Sequence, residues 1–88
     1  MRTIWKYNLG STRDVTVQGG APRVVHVGVD PSQLGSVPTA WVELDPEESG
    51  ALVLRFIGTG HDVPIGWDHV GSTVAGSFVW HVYAKAPR

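Results

Sequence analysis

Apolar and β-branched residues occur along this chain in short runs, each cut off by glycine, proline or small polar residues. Seven such runs predict strands near residues 3–9, 13–18, 23–30, 38–45, 51–58, 68–75 and 77–85. Within them the pattern alternates with a period of two. Val25, Val27 and Val29 share a face opposite Val24, His26 and Gly28, and Leu52, Leu54 and Phe56 oppose Val53, Arg55 and Ile57. In the last run Phe78, Trp80, Val82 and Ala84 oppose Val79, His81 and Tyr83. Both faces of that strand are apolar or aromatic, so it is either covered on both sides or presents one face to another subunit. The subunit is the preferred expectation.

The breaks carry turn chemistry: Gly19-Gly20-Ala21-Pro22, residues 30–36, Asp45 to Gly50, and Ala75-Gly76. Asp45-Pro46-Glu47-Glu48 also fits a single helical turn, with Asp45 as N-cap and proline first. Nothing else has helical spacing. The expected fold is all-β: a single domain over residues 1–88, a small antiparallel sandwich or barrel of six to seven short strands.

Composition narrows the function classes. The chain is 42% hydrophobic, enough for one core, but a domain of 88 residues buries only roughly 60–65% of its unfolded surface. The absence of cysteine excludes a disulfide framework and a thiolate zinc site. Homo-oligomerisation is the expected supplement to so small a core. Seven Lys and Arg against eight Asp and Glu, with no basic cluster, argue against polymeric nucleic acid as a partner. A small anion needs only one or two cations and stays possible. The opening residues form no apolar signal region and no run reaches membrane-spanning length, which leads to an expectation of a cytoplasmic protein with no membrane partner.

Six segments stand out as a set: Ile4-Trp5-Lys6-Tyr7, Gly20-Ala21-Pro22-Arg23-Val24-Val25-His26-Val27, Pro38-Thr39-Ala40-Trp41-Val42-Glu43-Leu44-Asp45-Pro46, Gly58-Thr59-Gly60-His61-Asp62-Val63-Pro64, Val70-Gly71-Ser72-Thr73 and Phe78-Val79-Trp80-His81-Val82-Tyr83. Together they resemble a family of small bacteriophage proteins of unknown function. The resemblance covers nearly the whole chain and brings no catalytic residues to transfer. It implies a phage accessory protein in the host cytoplasm, one that binds a host protein or sequesters a nucleotide signal of host anti-phage defence.

The densest polar chemistry is the loop Gly58-Thr59-Gly60-His61, which follows an apolar strand and precedes Asp62-Val63-Pro64. Its functional reading is a backbone nest for a phosphate or carboxylate, with Arg55 and His61 adding charge. Its plain reading is a tight connection that needs positive φ. No Gly-Lys-Ser/Thr follows, so it is not a Walker loop. Trp67 is the best residue for stacking on a planar ligand, an interaction worth ~1–3 kcal/mol for a base, or else it anchors the loop. Trp80 reads as core, and Trp41 as covering the opposite sheet face or lining a pocket. His61-Asp62 and Asp68-His69 lie either side of one loop, but compact metal-ligand spacing is missing and no metal or other cofactor is expected. His26 and His81 read as mid-strand residues bonded across the sheet.

Catalysis has little support. The serines at 11, 32, 36, 49, 72 and 77 sit in no nucleophile-elbow context, and Asp45, Glu47 and Glu48 cluster on a turn. The expectation is a non-enzymatic protein binding a small anionic, nucleotide-like ligand through Arg55, Gly58, Thr59, Gly60, His61 and Trp67. Lys6 or His81 of a neighbouring copy would complete the pocket. The alternative is a protein–protein interaction module that docks on a host or phage protein.

Overall fold

The strands form close to where the alternation places them. In the computed structural model, which describes residues 1–9, 14–30 and 37–87, they are β1 (Thr3–Asn8), β2 (Asp14–Gln18), β3 (Gly20–Val29), β4 (Pro38–Asp45), β5 (Ala51–Gly58), β6 (Asp68–Ala75) and β7 (Phe78–Lys85). The expected turn through residues 31–36, Arg13 at the head of the second strand, the serines at 11, 32 and 36, and Arg88 lie outside the described residues. Two antiparallel sheets result, in the orders β1-β4-β3 and β2-β5-β7-β6. The fold is therefore a sandwich rather than a closed barrel.

β3 starts three residues earlier than the hydrophobic pattern implies, because Gly20 already pairs with Asp45 before a bulge resets the register at Arg23–Glu43. Within that bulge Ala21 takes φ +44°, a left-handed conformation uncommon for an L residue. Arg2 stabilises it by donating from Nη1 to the Gly20 carbonyl (3.1 Å) and from Nη2 to that of Ala21 (2.7 Å). The helical alternative at Asp45 is not realised. Asp45 instead closes a turn, its carbonyl accepting from Glu48 N–H at 3.2 Å and its Oδ1 from Glu47 N–H at 3.0 Å.

Leu9, Val17, Ala40, Val42, Leu44, Leu54, Val82 and Ala84 fill the space between the sheets. The core thins along β7: Val82 is fully buried, Trp80 only half-buried, and Phe78 is 63% exposed at the hairpin end. Trp80 is thus a rim residue, packed edge-on to Phe56 at 5.1 Å, and not the core anchor its face suggests. Beside the buried Val82 the sheets touch through Gly71 of β6, where a Cβ would lie 2.5 Å from Val27 Cγ2 of β3. Among the described residues no helix is long and apolar enough to cross a membrane.

Candidate functional site

Alternation along the four-stranded sheet sends one set of side chains away from the core. Register then arranges them in rows: Asp14, Arg55, Tyr83 and His69 across one, Ile57, His81 and Ser72 across the next. Ile57 is only 4% exposed although it belongs to this outer set. The connection of residues 59–67 leaves the Gly58 end of β5 and delivers Trp67 to Arg55, so it crosses the same face.

At the Gly58 end the loop is a hydrogen-bonded turn. His61 N–H donates to the Gly58 carbonyl at 3.1 Å, and Gly60 at the third position has φ +92°, a value that glycine accommodates without strain. Thr59 N–H donates to the Val79 carbonyl at 3.2 Å. Two of the amides expected to form an anion nest are therefore used internally. His61 folds back on Gly58, where a Cβ would lie 3.1 Å from its ring and 3.1 Å from Trp80. An open depression of about 210 Å3 remains, lined by Gly58, Thr59, Gly60, His61, His81 and Tyr83 among others.

Five of the residues singled out from sequence thus meet: Gly58, Thr59, Gly60, His61 and His81, the last from the same chain. Arg55 and Trp67 meet each other instead. The Arg55 guanidinium lies 4.4 Å from the Trp67 ring centre and donates to both carboxylate oxygens of Asp14, at 2.7 and 2.9 Å. Asp14 pushes the Arg55 pKa further up, so this side chain stays cationic. Trp67 borders a second depression of about 270 Å3 with Asp14 and Lys85. Lys6 is on the other sheet, 2.6 Å from the buried carboxylate of Asp30. On that sheet Trp41 covers the outer face, its ring 5.1 Å from His26. Among the described residues no three His, Asp or Glu side chains gather to hold a metal, so His61-Asp62 and Asp68-His69 do not converge on one.

Sequence reasoning weighed Ser72 only as a serine outside any nucleophile elbow and His69 only as a metal ligand, and missed that the two join His81 on this face. Ser72 Oγ lies 2.9 Å from His69 Nε2 and 2.8 Å from His81 Nδ1, while His81 Nε2 lies 3.1 Å from Thr59 Oγ1. Strict alternation would put positions 69 and 72 on opposite faces. A bulge between His69 and Gly71 adds the extra residue that brings both to one face. The available signal was Gly71, since an isolated glycine in a strand marks a bulge or a close approach.

Comparison with curated proteins and with solved structures finds no match for this chain. Across residues 1–88 it matches the family described as domain of unknown function DUF7352, and it belongs to that family.

Proposed function

We propose that the protein is a non-enzymatic binder of a small anionic, nucleotide-like ligand, taken up at the depression formed by Gly58, Thr59, Gly60, His61 and His81. The observation that supports this reading is the convergence of two imidazoles and a hydroxyl beside a glycine turn on one open face. Its volume of about 210 Å3 is below the ~300 Å3 at which pockets for whole small molecules begin. One chain would therefore hold the phosphate end, and a second copy would enclose the rest, which links the ligand to homo-oligomerisation. The resemblance to small phage proteins suggests where such a ligand arises. An infected host cytoplasm contains nucleotide signals of anti-phage defence, and sequestering one would be the biological role. Native mass spectrometry with a mixture of mono-, di- and cyclic nucleotides tests it. A defined oligomer gaining one nucleotide per site is the expected result, and His61→Ala should abolish the gain. An oligomer or monomer that ignores the whole mixture refutes the reading.

A second reading rests on Val63 (52% exposed), Val74 (66%) and Val79 (40%), the first lining the depression and the other two pairing at the hairpin end of the β6–β7 ladder that holds Ser72 and His81. An apolar rim of this kind suits docking on a host or phage protein. Recovery of a single stoichiometric partner by the wild-type chain, lost in Val74→Lys, is the expected outcome of that reading. Recovery of the protein alone counts against it.

A further inference from the structure

Hydrogen-bond accounting gives the Ser72 chain a direction. A hydroxyl has one proton. The Thr59 hydroxyl lies 3.1 Å from the Val79 carbonyl, which can only accept. With that proton committed, Thr59 Oγ1 accepts from His81 Nε2–H, and the lone pair of neutral His81 is on Nδ1. Nδ1 is the atom 2.8 Å from Ser72 Oγ, so the Ser72 proton points at an imidazole lone pair. The Ser72 oxygen then accepts from His69 Nε2–H at 2.9 Å. The opposite direction would forfeit the bond from the Thr59 hydroxyl to the Val79 carbonyl, which would keep only the Thr59 N–H at 3.2 Å. A nucleophile bonded to a base, with the base held in one tautomer by a third group, is the arrangement that activates a hydroxyl.

We propose that Ser72 is a nucleophile with His81 as its base, and that it captures an acyl group from an activated ester. Ser72 Oγ attacks the ester carbonyl carbon while its proton passes to His81 Nδ1. The bond to the leaving oxygen then breaks, and that oxygen takes the proton from His81 and departs as the alcohol or phenol. The products are an acyl ester on Ser72 and neutral His81, with no oxidant or cofactor involved. Ser72 sits mid-strand opposite His81 in the β6–β7 ladder, so no pair of outward backbone amides forms an oxyanion hole. The reaction is therefore a stoichiometric capture, without turnover. It does not rest on the anion-binding reading, although both use His81.

The test is exposure of the full-length chain to para-nitrophenyl acetate, read by intact mass and peptide mapping. Ser49 and Ser77, exposed and without an imidazole partner, are internal controls. A positioned general base contributes about 10²–10⁴-fold, so acetylation at Ser72 should exceed that at either control by about a hundredfold. Ser72→Ala should remove that adduct, and His81→Gln should bring Ser72 down to the controls with an unchanged unfolding midpoint. Should His81→Gln fail to fold, Thr59→Val, which frees the His81 tautomer, is expected to slow the labelling at least about tenfold. Equal labelling of Ser72, Ser49 and Ser77 overturns the proposal. So does labelling of Ser72 that neither His81→Gln nor Thr59→Val slows.

Discussion

Replacing Gly71 with alanine tests how tightly the two sheets are locked together. The added Cβ would stand 2.5 Å from Val27 Cγ2 and 2.8 Å from Val27 Cβ. Carbon atoms prefer ~3.5–4.0 Å, so one sheet must withdraw by about 1 Å or more at this point. Val27 is β-branched and stiff at χ1, and its own Cβ is one of the clashing atoms, so rotation cannot clear the space. Overpacking of this kind costs about 1–3 kcal/mol. For a domain this small each kcal/mol lowers Tm by roughly 4–8 °C, so Gly71→Ala should melt roughly 5–20 °C below wild type. Urea unfolding followed by tryptophan fluorescence gives the free energy directly. Val27→Gly removes both clashing atoms, and in the double variant the two losses should fall short of their sum by about 0.5–3 kcal/mol. Additive losses, or an unchanged Tm for Gly71→Ala, would refute the close approach.

Other outcomes follow from single contacts. Ala21→Gly relieves a left-handed L residue, a conformation costing about 1–2 kcal/mol; after the added unfolded-state entropy of glycine, a net gain of about 0.5–1 kcal/mol is expected in the same urea assay. Gly60→Ala meets nothing within 4 Å and should cost only about 1 kcal/mol of backbone strain, whereas Gly58→Ala, with no positive φ to strain, must displace His61 and Trp80 and should shift the tryptophan emission. Hydrogen bonds from Arg2 and Arg23 hold Glu43 below its ordinary pKa of 4.5, and the Glu47 amide lowers Asp45 below 3.8. A carboxylate depressed in the folded state stabilises above its unfolded pKa and loses that contribution as pH falls through the folded value. Thermal stability should accordingly be flat above about pH 5 and decline below about pH 4, and Glu43→Gln should flatten that decline.

The strands were legible because β-branched alternation and glycine or proline punctuation agree in nearly every segment, as in Ala51–Gly58 and Phe78–Lys85. The assignment of strands to sheets was not, because it depends on long-range pairing. Lys6 was expected to reach the glycine loop from a neighbouring copy; within one chain β1 pairs with β4 in the other sheet and Lys6 meets Asp30. Arg55 was read as a spare cation, yet β2 pairs with β5 and brings Asp14 against it across 41 residues of chain. The Ser72 chain was hidden for a local reason. One bulge changes which face a residue occupies, and period-two reasoning carries the wrong parity past it.

This redistribution changes what should recognise an anion. The outer face of the four-stranded sheet divides into two ends with different tasks. At one end Arg55, Asp14 and Trp67 clasp the crossing loop, and the guanidinium is already engaged by two carboxylate oxygens and an aromatic ring. At the other end the loop turns tightly and leaves His61, His81 and Thr59 beside an open depression. The sequence offered Arg55 and His61 together as the charge for such a ligand; in the fold they lie at different ends, and the proposed site keeps His61 and His81 while Arg55 is engaged elsewhere. Arg55→Met tests the two ends separately. It removes a partly exposed ion pair and a cation–π contact, each worth about 0.5–1 kcal/mol, so the variant should fold with a stability loss of about 1–2 kcal/mol. Nucleotide uptake by the folded variant should remain at the wild-type level while His61→Ala loses it. If Arg55→Met abolishes uptake and His61→Ala does not, the ligand is held at the Trp67 end, and the glycine turn serves only to carry the chain from β5 to β6.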